Sequence, residues 1–330
     1  MINKIIVVIG IGVLSFALTY LIRIWAIKNK IVSTPNSRSM HTEVTPHGGG
    51  LAIVFAWYLG IAVFYVFNWI DAELFWALLC GLFLAAISFA DDIVEIKPYI
   101  RLIVQFIVAI VALYILGGLR KPITPGVDIL SIPHLIYPMA IIGMVWFINL
   151  YNFMDGADGF ASLEAIIVSI VIFMFTGSWE TLLLASGVFG FLFWNWPKAK
   201  IFMGDVGSTQ LGFILVILGI HYHNTLDFSI FNWLMISSPF WFDATYTLLR
   251  RWRNGERISE PHRKHIYQRF VQSGFSHKQL NYSLIIINIF IVVLILIYRE
   301  FDFLKIPIYI LTLIMLFVIS IKVDRLFPFK

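Results

Sequence analysis

NLYNFMDGADGFAS, residues 149–162, holds two Asn, two Asp and two Gly within its first eleven positions. Apolar runs long enough to cross a bilayer flank it. Acids and amides this dense beside membrane-spanning helices are costly unless they bind something or do chemistry. One reading is a metal and phosphate site at the membrane surface. The other is a polar loop with Gly turns, for which Asn, Asp and Gly are favoured residues. The repeat N-x-x-N-x-x-D-x-x-D would wind around a helix; with Gly156 and Gly159 present it reads as a turn that converges oxygens on one point. Carboxylate and amide oxygens together suit Mg²⁺ or Mn²⁺.

Outward from this stretch the chain stays apolar. Of 330 residues, 60% are hydrophobic and 13% charged, against about 45–50% and about 25% in an ordinary soluble domain. This is an all-α, polytopic integral membrane protein, read as one transmembrane domain over 1–330. Eleven candidate spans emerge: 5–26, 49–69, 73–90, 101–118, 134–149, 161–178, 180–195, 209–223, 230–249, 281–298 and 306–322. The first follows Lys4 without a small-residue cleavage site and is read as a retained helix, not a signal peptide. The lone Cys80 excludes an intrachain disulfide and a Cys-rich zinc site.

Orientation follows from Lys and Arg. Nineteen of the 24 lie on one set of connections, which is therefore cytoplasmic. This places the N-terminus outside and the C-terminus inside. The same face receives SRSMHTEVTPHGGG (37–50), FADDIVEIKPYIR (89–101), the 149–159 motif, KIFMGDVGS (200–208) and EPHRKHIYQR (260–269). Acidic residues contribute little to topology, so the Asp pairs argue for one composite site there. The outer connection 119–133, rich in Pro and Gly, carries no readable function.

Asp91 and Asp92 end a span in SFADD. Adjacent carboxylates ionise together most easily beside a cation, and Mg²⁺ takes one or two carboxylates plus substrate phosphates. The alternative is a pair of solvated acids, badly placed at a helix C-terminus. Arg101 and Gln105, four apart, share a helix face; Arg101 could meet the Asp pair, meet a phosphate, or snorkel. Asp205 in MGDVGS is a metal-ligand candidate or a plain N-terminal acid, with Ser208 as helix cap. In HTEVTPHGGG, Pro46 ends an extended stretch. Its glycines permit either a close ligand or close helix packing. The segment 250–269 holds seven Arg or Lys plus His262 and His265. It could grip a diphosphate or touch anionic lipid. Asp243, inside a span, is a functional candidate or an Arg partner.

With these residues in view, the chain resembles the polyprenyl-phosphate hexose-1-phosphate transferases. These start O-antigen, enterobacterial common antigen and teichoic acid assembly, and include the phospho-MurNAc-pentapeptide translocase. The resemblance rests on TPHGGG (45–50), ADD (90–92), N-x-x-N-x-x-DG-x-DG (149–159), GDVGS (204–208) and PHRKH (261–265), in family order over most of the chain. It implies transfer of an N-acetylhexosamine 1-phosphate from a UDP-sugar to undecaprenyl phosphate, releasing UMP, with Mg²⁺ as cofactor and Mn²⁺ as an alternative. It implies a bacterial inner-membrane enzyme with a cytoplasmic active site, a homodimer, the lipid bilayer as surroundings and no nucleic-acid partner. Asp205 and Asn152 become the expected metal ligands, and Asp91, Asp92, Asp155 and Asp158 the expected catalytic acids. Asn149, Asn152, Arg101, His262, Arg263, His265, His47 and Gly48 become the expected substrate contacts. The translocase carries consecutive histidines where this chain reads His262-Arg263-Lys264-His265, so the O-antigen initiators for N-acetylated fucosamine or quinovosamine look more similar. A translocase-type enzyme is the first alternative. A secondary transporter or flippase is the second; it would show mid-membrane acids in repeated, broken helices.

Overall fold

The structure, a computed structural model, describes residues 1–34, 40, 43–94, 96–120, 133–225, 228–258 and 260–329. The connection at 121–132 and residues 37–39, 41 and 42 of the 37–50 motif lie outside the described residues. The chain is built almost wholly of helices. They are α1 (Ile2–Lys28), α2 (Gly50–Val66), α3 (Ala72–Leu79), α4 (Gly81–Val94), α5 (Pro98–Ile115), α6 (Pro133–Phe153), α7 (Phe160–Thr176) and α8 (Trp179–Asn195). There follow α9 (Asp205–Thr225), α10 (Ile230–Ile236), α11 (Ser238–Arg253), α12 (Ile266–Gln272), α13 (His277–Glu300) and α14 (Lys305–Leu326). Two short strands, β1 (Val32–Ser33) and β2 (Thr45–Pro46), pair antiparallel ahead of α2.

Among the described residues, seven helical stretches are long and apolar enough to cross a membrane, and α2 and α7 are shorter apolar helices. The chain is a multi-pass membrane protein. Its centre is α9, buried along its length and packed by α6, α4, α2, α7 and α3. A helix apolar on every side belongs in such a position. The outer helices α1, α5, α13 and α14 leave apolar side chains such as Val13, Ile107, Ile286 and Ile310 exposed, as a lipid-facing rim does.

One span read as continuous, 230–249, is broken, whereas 73–90 runs on as one membrane-length stretch over Ala72–Asp92. At Cys80, between α3 and α4, polar groups enter the hydrogen-bond ladder of that stretch. Tyr58 donates its hydroxyl to the Leu78 carbonyl at 3.0 Å, and the Gln210 side-chain amide donates to the Gly81 carbonyl. The 230–249 run divides into α10 and α11 at Ser237, just before Pro239, which cannot donate a backbone bond. Helix α9 also starts earlier than read, at Asp205 itself. Ser208 is therefore no cap: it lies within the first turn and accepts from the Asn152 amide at 2.9 Å.

Candidate active site

The HGGG segment lies along the approach to α9. The Phe202 amide donates to the Pro46 carbonyl at 2.8 Å. The Gly49 and Gly50 amides donate to the Phe202 and Met203 carbonyls at 2.9 and 2.8 Å. Gly50 then meets Gly207: a Cβ on Gly50 would sit 2.5 Å from the Gly207 nitrogen and 2.9 Å from the Met203 carbonyl oxygen. At Gly50 the glycine run thus serves close helix packing. Gly48 has φ of +92° and turns the chain there.

This packing opens a cavity of about 620 Å³. His47, Asp92, Asn152, Asp155, Asp158 and Asp205 all line it. Four motifs that are distant in sequence therefore meet at one place. Asn152 comes from the last turn of α6, and the turn that follows occupies only 154–159. The Asn152 amide donates to Asp205 Oδ1 at 3.0 Å. Arg101 Nη1 reaches Asp91 Oδ2 at 2.6 Å and Asp205 Oδ2 at 3.3 Å. Asp205 is thus held from two sides at the head of α9.

The two adjacent acids are not equivalent. Asp91 is tied through both oxygens, accepting from Arg101 and, at 2.6 Å, from the Ile96 amide. Asp92 faces the cavity and has no ion-pair partner among the described residues. Asn149, one turn deeper on α6, does not line the cavity. Its amide donates to Gln105 Oε1 at 2.6 Å, joining α5 to α6.

Asp155 carries the clearest electrostatic signature. Burial, then the charges of Asp205 and Asp158, push its carboxyl well above the usual carboxylate range. Such a group calls for a proton or a cation. No cluster of three or more His, Cys, Asp or Glu forms a ready-made metal cage among the described residues. Mg²⁺ does not require one, because it keeps waters and takes one or two carboxylates plus substrate phosphate oxygens. Asp205 with Asp155 or Asp92, and the amide oxygen of Asn152 after rotation, are the oxygen donors here that could hold such an ion.

Three residues of the basic loop stand outside the cavity lining. His262, Arg263 and His265 do not line the cavity; Gln268, two residues into α12's first turn, does. His265 is buried and contacts Asp243 through Nδ1 at 3.3 Å. Asp243 in turn accepts from the Ile266 and Tyr267 amides at 2.8 and 2.9 Å, and so holds the start of α12. That is the role of this intramembrane acid, and it has no Arg partner among the described residues. Burial, then the neighbouring His265 and Arg251, lower His262 to about 3, and its Nδ1 accepts from the Lys264 amide at 3.2 Å. An unfolded histidine titrates near about 6.5. Between those values the unfolded chain binds the extra proton, so the His262 site loses stability as pH falls below about 6.5. The unfolding midpoint of His262→Asn is expected to drop less than that of the unsubstituted protein between about pH 7 and about pH 5. Equal drops would put the acid sensitivity elsewhere.

His277, at the start of α13, is a cavity residue the sequence reading missed. Its Nδ1 lies 3.2 Å from Asp158 Oδ2 and 3.3 Å from the Asp158 amide. The Ala199 amide also donates to Asp158 Oδ2, at 3.1 Å, and the Asn281 amide to the Asp158 carbonyl, at 3.0 Å. Asp158 is thus the anchor of the DG-x-DG turn. The only local signal was the S-x-x-Q capping box at 276–279, which marks a helix start and not a site.

An acidic, oxygen-rich cavity at the ends of membrane helices marks the protein as a multi-pass membrane protein with a polar site. The sequence pattern of Glycosyl transferase family 4 matches residues 74–223. A Bacillus subtilis (strain 168) protein named as a probable undecaprenyl-phosphate N-acetylglucosaminyl 1-phosphate transferase is 30% identical over 282 residues, spanning 79% of this chain and 75% of that one. A Thermotoga maritima undecaprenyl-phosphate alpha-N-acetylglucosaminyl 1-phosphate transferase is 28% identical over 265 residues, 78% of this chain and 80% of its own. A phospho-N-acetylmuramoyl-pentapeptide-transferase from Vesicomyosocius okutanii is 28% identical over a shorter 232 residues, 58% of this chain and 64% of its own. The chain belongs to glycosyl transferase family 4 and is a glycosyl-1-phosphate transferase.

Proposed function

We propose that this protein transfers an N-acetylhexosamine 1-phosphate from a UDP-sugar to undecaprenyl phosphate, with Mg²⁺ as cofactor. The products are undecaprenyl-diphosphate-sugar and UMP, and the step starts O-antigen or a related surface polysaccharide. The observation that carries the proposal is the convergence of Asp92, Asn152, Asp155, Asp158 and Asp205 on one cavity. The names of the relatives make UDP-N-acetylglucosamine the first donor to try. Counted over the eleven spans read from the sequence, the distribution of Lys and Arg supports a cavity facing the cytoplasm.

The acceptor is a phosphate monoester with a second pKa near about 6, so it is largely ionised at neutral pH. A strong base is therefore not needed. A lipid-phosphate oxygen attacks the sugar-bearing phosphorus of the donor, forming one P–O bond. The bond from that phosphorus to the bridging oxygen breaks, and the oxygen leaves with UMP. The barrier is electrostatic, as an anion approaches a diphosphate beside four carboxylates. When bound, a divalent cation supplies charge neutralisation and polarises phosphate oxygens. The protein orients the reactants. Asn152 and Arg101 hold the Asp205 carboxylate, Asp92 is left free to meet the acceptor, and His277 braces the turn carrying Asp155 and Asp158.

The test is a product assay in detergent with undecaprenyl phosphate, Mg²⁺ and a panel of UDP-N-acetylhexosamines. The expected result is UMP release together with sugar in the organic phase. EDTA should reduce both to background, and excess Mg²⁺ should restore them. Turnover that persists in EDTA would overturn the cofactor assignment. No product from any donor beside a working control enzyme would overturn the reaction.

A further inference from the structure

A second cavity, of about 320 Å³, lies away from the acidic one and shares no residue with it. Arg263, Lys264, Arg269, Gln272, Phe327 and Pro328 line it. It sits where the end of α11, the short α12 and the end of α14 meet.

Its charges do not balance. Arg250 and Arg269 share a single carboxylate, Asp324. Arg251 and Lys264 share another, Glu256. Among the described residues, these four cations face two carboxylates, and positive charge is in excess. Arg269 is only 2% exposed. Its Nε donates to the Lys264 carbonyl at 3.1 Å and its Nη1 to Asp324 and to the Phe327 carbonyl, but Nη2 has no hydrogen-bond partner among the described residues. A buried guanidinium with an unmet donor is costly, and an anion relieves it. The Phe329 ring stacks against the same cations, with Arg250 at 3.9 Å and Arg269 at 5.2 Å from its centroid. This arrangement holds the guanidinium planes in place and adds no negative charge.

We propose that this cavity is a phosphate-binding site, separate from the catalytic one, for the phosphate group of an anionic phospholipid or of a soluble phosphate. The flanking surface favours the lipid. Leu326, at the end of α14 and next in sequence to the lining residue Phe327, is exposed, as are Leu249 and Trp252 near the end of α11; acyl chains can lie on such surface while the headgroup reaches Lys264 and Arg269.

The test uses the full-length protein in zwitterionic detergent. Native mass spectrometry follows titration with phosphatidylglycerol and, separately, with phosphatidylcholine. The unfolding midpoint is read in inorganic phosphate and in chloride at matched ionic strength. Arg263→Gln/Lys264→Gln removes two charges and leaves Arg269 in place, with its fold checked by circular dichroism. If that variant does not fold, Lys264→Gln alone is used. Phosphatidylglycerol retained by the unsubstituted protein and weakened about tenfold or more in the variant supports the site with a lipid source. A midpoint raised by inorganic phosphate only in the unsubstituted protein supports it with a soluble source. Equal phosphatidylglycerol retention by both proteins, with no phosphate-dependent difference in midpoint, overturns it.

Discussion

Asp205→Asn is expected to lower kcat/KM by about 10²–10³-fold, the scale seen when one preorganised electrostatic group is removed from a reaction centre. The amide keeps the shape of the carboxylate and can still accept from Asn152. It loses the charge that a divalent ion would need and the pairing with Arg101. Two further readouts separate this from unfolding. The unfolding midpoint should change little, because Arg101 retains its 2.6 Å bond to Asp91. Residual turnover should require a higher Mg²⁺ concentration. A variant that turns over at the normal rate with unchanged Mg²⁺ dependence would remove Asp205 from the metal site.

Asp92→Asn is expected to cost about 10²-fold or more in kcat, in the range for loss of a positioned acid–base or charge-bearing side chain. Its neighbour should behave differently. Asp91 is bound to Arg101 and to the Ile96 amide, so Asp91→Asn frees one charge of a half-buried pair and should chiefly lower the unfolding midpoint. The comparison is made on UMP release and thermal unfolding in parallel. If Asp91→Asn loses more turnover than Asp92→Asn at equal stability, the assignment of the cavity-facing acid is wrong.

The basic loop shows what a motif leaves open. Seven cations and two histidines over an acidic site suit a diphosphate or anionic lipid, and in the structure several of them pair within the protein. Arg250 and Arg269 bind Asp324 from α14, and His265 contacts Asp243 from α11. Charge near a motif reveals affinity for an anion without revealing which one. The unbroken reading of 230–249 has a related cause. Hydropathy averages over a window, and it does not register that Pro239 cannot donate to the backbone ladder.

The residues alone determined the helical membrane class, because a chain this apolar can satisfy its backbone in lipid only through helices or a closed barrel, and its apolar runs are of helical length. They also named the four polar motifs that meet at one cavity, since Asp, Asn and Gly stand out against an apolar background. Tertiary structure alone decided what each one touches. Asp91 and Asp92 are adjacent in sequence, but successive residues on a helix point about 100° apart. One therefore turns to Arg101 and the other to the cavity. His277 meets Asp158 across 119 positions, and no local pattern encodes a contact that forms only when α13 packs beside the turn.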